Sequence, residues 1–143
     1  MAKREDEYFS YQPGRKGARI AQEMPKKRIL VADDEAPLRT MLTKALERAG
    51  YEVIAVKDGM EASLQIEREA YDLIITDYAM PNLNGLELVR RIKAKYPCLP
   101  IIVISGAGPV DDLLRSGALT FIEKPFIIQD VLTVVQSIFD LIH

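Results

Sequence analysis

From residue 28 onward the chain alternates between short apolar runs and amphipathic stretches. RILVA at 28–32 is a continuous apolar run, the mark of a strand buried on both faces. Leu38, Met41, Leu42, Ala45, Leu46 and Ala49 then recur at i, i+3, i+4, i+7, i+8 and i+11, which is one face of a helix. Pro37 suits its first turn and Gly50 its stop. The alternation continues with a strand at 51–56, a helix with a poorer stripe at 58–70 and a strand at 72–76. A helix at 85–96 carries Leu86, Val89, Ile92 and Tyr96 on one side. A strand at 100–105, a short helix at 109–116 closed by Gly117, a strand at 119–123 and a helix at 127–142 complete the chain. Strands that alternate with helices in this way must run parallel, joined by right-handed crossovers, with helices on both faces. The predicted fold is a single doubly wound α/β domain.

The last helix holds more apolar positions than one core face needs. Val131, Val134, Ile138 and Leu141 form one stripe, and Leu132, Val135, Phe139 and Ile142 form another beside it. Either the core-facing arc is wide, or one stripe is a patch for a dimer mate or target. Residues 1–27 lack any sustained apolar period and are broken by Pro13, Gly14, Gly17 and Pro25. They are expected to be a flexible or vector-derived extension of a domain at 28–143. The sharper alternative is a docking arm anchored by Tyr8, Phe9 and Tyr11 and steered by basic residues. GRKGAR at 14–19 is not a phosphate loop, since no strand precedes it and the GK[ST] ending is missing.

Bulk properties narrow the classes. A length of 143 residues with 48% hydrophobic and 28% charged content suits one soluble globule. A net charge of -2 and the lack of a basic recognition helix argue against direct nucleic-acid binding. No apolar run reaches the ~18 residues of a membrane span, and the N-terminus has no secretory h-region. The single cysteine, Cys98, cannot form an internal disulfide, which fits a reducing cytoplasm.

In doubly wound sheets, ligands bind beyond the carboxyl ends of the strands. The polar residues at those ends are Asp33 and Asp34 with Glu35 after the first strand, and Asp77 after the third. Ser105 and Gly106 close the fourth, and Lys124 and Pro125 follow the fifth. Singly, each has a bland reading: Asp34 as a helix cap, Ser105 as a turn residue, Lys124 as a solvated lysine. Their shared edge is the signal. Carboxylates ~4 Å apart repel by about 4 kcal/mol per pair at an effective dielectric near 20. Three ionised acids in one pocket therefore call for a proton or a cation. Hard oxygen ligands without thiol or imidazole favour Mg²⁺ or Mn²⁺ over zinc, and His143 at the chain end is too weakly placed to be a ligand. A divalent ion flanked by an ammonium and a hydroxyl describes a phosphate site, where a carboxylate can attack phosphorus. Gly106 and Ala107 leave room for the donor.

These residues resemble the receiver domains of two-component response regulators. The carriers are LVADDE, LIITDYAMPNLNG, VISG and GALTFIEKPF, and the likeness runs from about residue 28 to 142. The resemblance implies a flavodoxin-like five-stranded parallel sheet in the order 2-1-3-4-5. It implies that Asp77 accepts phosphate from a sensor histidine kinase or phosphotransfer protein. Asp33, Asp34, Asp77 and the backbone carbonyl of Tyr78 would hold Mg²⁺. Lys124 would pair with Asp77 and then with phosphate, and Lys124-Pro125 would be a cis peptide. Ser105 and Phe121 would be the switch pair. The output surface would comprise the fourth helix, fifth strand and fifth helix, meeting a downstream target protein or a second copy. Such a domain catalyses its own phosphorylation and dephosphorylation and is not a conventional enzyme.

One departure from the family pattern stands out. The stretch from Ser105 to Gly117 is about three residues short, nearly one helical turn, so the fourth helix should be short, displaced or poorly ordered. Other readings fit less well. A haloacid-dehalogenase-type phosphatase needs a second aspartate two residues after the nucleophile, where Ala79 stands. A flavodoxin-like FMN binder needs a hydroxyl-rich first loop, where ADDEAP stands. A pseudo-receiver acting only as a binding module should lack Asp77, Lys124 or the acid pair. A phosphate shuttle, a stand-alone switch and a fragment of a larger multidomain regulator remain as roles.

Overall fold

The structure is a computed structural model that describes residues 25–106 and 108–142. The expectations for Tyr8, Phe9, Tyr11, Ala107 and His143 lie outside the described residues. Five strands form one parallel sheet: β1 (Arg28–Ala32), β2 (Glu52–Val56), β3 (Leu73–Asp77), β4 (Ile101–Ser105) and β5 (Thr120–Glu123). Their order is β2-β1-β3-β4-β5, as expected. Between and after them run α1 (Ala36–Arg48), α2 (Gly59–Arg68), α3 (Gly85–Lys95), α4 (Val110–Arg115) and α5 (Ile128–Ile142).

Side chains alternate across each strand, so the sheet divides its core in two. On one face Ile29, Val31, Leu73, Ile75, Ile102, Ile104 and Ile122 pack with Leu42 and Leu46 of α1 and with α5. On the other, Leu30, Ile74, Ile101 and Val103 pack with Ala62 and Ile66 of α2, Leu88, Val89 and Ile92 of α3, and Leu113 of α4. Apart from half-buried Arg28, the three central strands are buried throughout, while the edge strand β2 is only partly covered, with Val53 and Val56 buried and Glu52 and Ala55 exposed. That is why the central strands read as continuous apolar runs.

Element ends move by a residue or two for local reasons. Asp58 caps α2, accepting the Glu61 N–H at 2.8 Å, and is not itself helical. Asp72 precedes β3 because its carboxylate accepts the Arg28 backbone N–H at 2.7 Å. Asp77 pairs with Ile104 and so belongs to the strand proper. The stripe read for α1 is too wide: Met41 and Ala49 are exposed. In α5 neither sequence stripe is the core line. Val131, Val135, Ile138 and Phe139 are buried, cutting across both, and only Leu141 and Ile142 of the eight are exposed. The wide arc therefore accounts for most of the helix. The fourth helix is six residues long, as its shortened sequence implies.

The connection from β3 to α3 is pinned along its length. Met80 and Leu83 are buried beneath it. Asn82 takes a left-handed backbone, φ 70°, which asparagine tolerates. Asn84 and Glu87 form a capping box at the start of α3. Gly85 approaches so closely that an added Cβ would stand 2.8 Å from Tyr78 Cα and 2.9 Å from the Asp77 carbonyl oxygen. Both neighbours are backbone and cannot rotate away. Gly85→Ala should therefore destabilise the domain by about 1–3 kcal/mol, as overpacking does. Urea melts would measure it, and an unchanged midpoint would show that this contact is not tight.

Candidate functional site

Alternation along the strands aims the key groups. Ile29-Val31 leads to Asp33 just past β1, Leu73-Ile75 leads to Asp77 at the end of β3, and Ile122 leads to Lys124 past β5, all in phase on the α1/α5 face. Ser105 follows Ile101 and Val103 in phase on the opposite face. Phe121 pairs with Val103, is half-buried and packs on that same face.

Carboxylate oxygens of Asp33, Asp34 and Asp77 lie within 4.8 Å of one another. Asp33 and Asp77 are buried, at 1% and 3% exposure, while Asp34 is exposed at the mouth. Lys124 Nζ stands 3.3 Å from Asp77 Oδ1 and 3.8 Å from Glu35 Oε1. The Lys124-Pro125 peptide is cis. The Tyr78 carbonyl accepts the Gly85 N–H at 2.8 Å, which uses one lone pair and leaves the other. Among the described residues, Asp33 Oδ2 and Ser105 Oγ are buried without a hydrogen-bond partner.

The electrostatics follow from burial. Burial, then the Asp77 charge, pushes the Asp33 carboxyl up to about 6, against the Glu35 N–H and Lys124, which pull it down. Burial likewise raises Asp77, outweighing the Lys124 ammonium beside it, and the Asp34 charge adds to the rise. Burial works against the Lys124 ammonium, but Asp77, Asp33 and Glu35 together hold its pKa above the ordinary lysine value. The site thus holds more negative charge than one lysine neutralises. A hard divalent cation fits this donor set: three carboxylates, a spare carbonyl lone pair and an orphaned buried oxygen, with no soft ligand in the cluster.

Two residues of the site went unread in the sequence. Arg39 donates from Nη1 to the Asp33 backbone carbonyl at 2.7 Å, holding the acidic loop from the first turn of α1. Its only sequence signal was its place one helical turn beyond the acids. Glu35, noted but given no role, is a second carboxylate within reach of Lys124. Gly108 passes over Ser105: a Cβ there would stand 2.5 Å from Ser105 Oγ and 3.3 Å from the Tyr78 ring.

Neutralising one buried acid tests the charge balance. For Asp33 the folded pKa lies above the unfolded one, so the folded state holds the proton more tightly. Its contribution to metal-free stability is present at low pH and is lost as pH rises from about 4 to about 6. Asp33→Asn keeps an Oδ1 to accept the Glu35 N–H. In chelator, its stability gain over wild type should be small at pH 4 and grow to at most about 3 kcal/mol above pH 6. Paired urea melts at the two pH values measure this. A variant less stable at pH 7.5 would show that Asp33 is not under repulsion.

Comparisons with known proteins agree with this geometry. The sequence profile of the family described as "Response regulator receiver domain" matches residues 29–136. The chain is 39% identical over 115 residues to the DNA-binding transcriptional regulator NtrC of Bradyrhizobium sp., covering 78% of this chain and 24% of that protein. It is 35% identical over 116 residues to the response regulator receiver protein CpdR of Brucella abortus, covering 78% of this chain and 95% of that one. It thus spans about a quarter of the first relative and nearly all of the second. Among solved structures, the receiver domain of the Francisella response regulator 1452 superposes with a TM-score of 0.78 at 26% identity, covering 82% of this chain and 100% of that one. A CheY-like receiver domain protein of Methanospirillum hungatei JF-1 gives a TM-score of 0.77 at 29% identity, covering 80% and 94%. With the family profile matching residues 29–136 and the sheet order shared with those solved structures, the chain belongs to the receiver domains of two-component response regulators.

Proposed function

We propose that this domain is a working phosphoacceptor. An Asp77 carboxylate oxygen attacks the phosphorus of a phosphohistidine on a sensor kinase or phosphotransfer protein. The P–N bond breaks, the imidazole leaves, and an aspartyl phosphate remains. The observation that carries this reading is the cluster itself: three carboxylates within 4.8 Å, one of them 3.3 Å from an ammonium. Phosphoryl transfer needs positioning and charge neutralisation more than covalent chemistry from the protein. The rigid strand below Asp77 supplies positioning. Lys124 supplies a cation next to the attacking oxygen. Asp33, Asp34, Asp77 and the Tyr78 carbonyl would hold Mg²⁺ or Mn²⁺. When bound, that ion neutralises the phosphoryl oxygens and the acids together.

The switch follows from Ser105 and Phe121. Ser105 Oγ has no partner at rest, so a phosphoryl oxygen within reach supplies one. Its turn towards phosphate frees space on the face where half-buried Phe121 packs. The surface of α4, β5 and α5 then changes and is read by a target protein or a second copy. The short α4 limits how much of that surface the helix contributes. None of the helices among the described residues is long and apolar enough to cross a membrane. The domain acts alone or as one part of a larger regulator.

The test is direct. Incubated with a small phosphoryl donor, the domain should gain one acid-stable, hydroxylamine-labile phosphoryl group, seen by intact-mass spectrometry. The gain should need Mg²⁺ and vanish in chelator. Equal incorporation in chelator removes the metal from the reading.

A further inference from the structure

A cavity of about 500 Å³ opens at the edge of the sheet opposite the acid cluster. Its wall combines the end of α2, the turn after α3 and the last turn of α5, with Tyr71, Tyr96, Pro97, Leu99 and Ile142 supplying apolar surface. No residue of the acid cluster lines it. Its size and apolar lining suit a small guest such as one or two aromatic side chains.

The chain enters the fold at the rim of this cavity. The Arg28 backbone N–H donates to Asp72 Oδ2 at 2.7 Å, and its Nη1 donates to the Ala70 carbonyl at 2.8 Å. Its guanidinium pairs with Glu69 and lies 4.9 Å from the Tyr71 ring centroid. Glu69, Ala70, Tyr71 and Asp72 all line the cavity. Whatever precedes Arg28 is therefore tethered at its mouth.

The preceding sequence matches the cavity chemically. Tyr8, Phe9 and Tyr11 place three aromatic rings in four positions. Between them and Arg28 lie Arg15, Lys16, Arg19, Lys26 and Lys27 against one acid, Glu23. The rim they would cross carries Glu69, which is about half exposed and already paired with Arg28, and Asp72, with Lys95 also on the lining, so the match rests on the aromatic rings and the tether, not on charge. The seventeen residues from Tyr11 to Arg28 (28 − 11) extend to at most about 60 Å, well beyond what the mouth requires.

We propose that the aromatic cluster at 8–11 of this chain docks into the cavity beneath the sheet. One or two of the rings fill the space between Tyr71, Tyr96 and Leu99. Tethering makes the docking intramolecular, at an effective concentration of the order of millimolar, so modest apolar contacts hold it. The docked arm covers Ile142, which is 51% exposed, and ties the end of α5 to the base of the sheet.

Cys98, the single cysteine, is exposed and lines the same cavity, so it reports occupancy. The rate of its labelling by a bulky maleimide is measured in the full chain at several protein concentrations. The triple variant Y8A/F9A/Y11A should label about tenfold faster than wild type, the protection expected where the effective concentration is about ten times the dissociation constant of the contact. The conservative variant Y8F/Y11F should stay protected. Equal rates in wild type and the triple variant overturn the proposal. Protection that grows with protein concentration also overturns it, since a second copy then covers the cavity.

Discussion

Asp77→Asn should abolish phosphoryl incorporation while leaving a domain that is more stable without metal. The two effects have one origin. Asp77 is buried and sits among like charges, and its raised pKa says that burial outweighs the help from Lys124. The folded state therefore favours a neutral side chain at this position, and asparagine is one of nearly the same shape. In chelator at pH 7.5 the variant should therefore unfold at a higher urea concentration than wild type, because a raised folded pKa means that the ionised carboxylate costs stability at this pH. An amide oxygen is a poor nucleophile towards phosphorus, so chemistry stops. Intact-mass spectrometry and urea melts on one preparation measure both. Lost incorporation together with lost stability would mean that the carboxylate is structural.

Lys124→Met should separate ion binding from phosphoryl transfer. Methionine keeps much of the apolar stem and removes the ammonium 3.3 Å from Asp77. That ammonium repels a cation held by the same acids, so Mg²⁺ should bind several-fold more tightly, a change of about 1 kcal/mol. Phosphoryl transfer should fall by about 10²–10³-fold, the usual cost of removing one charge stabiliser from a reacting centre. Mg²⁺ titrations of the melting temperature give the first quantity, and timed incorporation gives the second. A variant with weaker Mg²⁺ binding and normal transfer would reverse the role assigned to this lysine.

The parts of the fold that were legible in the sequence are those where burial is two-sided. Ile101 to Ile104 can only be a central strand, because every residue of it is covered by helices on one face or the other. Helix faces were harder to place. Met41 sits on the predicted stripe of α1 but is exposed, while Leu42 beside it is fully buried. Leu88, fully buried in α3, was missed because Leu86 and Tyr96 mark a line to one side of the true one. In α5, residues apolar on both sides of the core line concealed the line itself.

The site was legible because it follows from topology. Once five parallel strands are granted, Asp33, Asp77, Ser105 and Lys124 must come to one edge, while the strand order that sets β1 beside β3 and so brings the acids together was legible only through the family resemblance. What could not be read was how the edge is held. Arg39 reaches back to a backbone carbonyl, and Gly85 and Gly108 matter through the space they leave open. A bond to a backbone carbonyl and the space a glycine leaves open name no partner in the sequence. Only the three-dimensional path of the chain reveals them.

All of this turns on which oxygen receives the phosphoryl group. Borohydride reduces an acyl phosphate, and converts an aspartyl phosphate to homoserine, so peptide mapping after reduction reads the acceptor directly. Homoserine at position 77, dependent on Mg²⁺ and on donor, is the predicted result. Homoserine at 33 or 34 instead, with position 77 intact, would contradict the account.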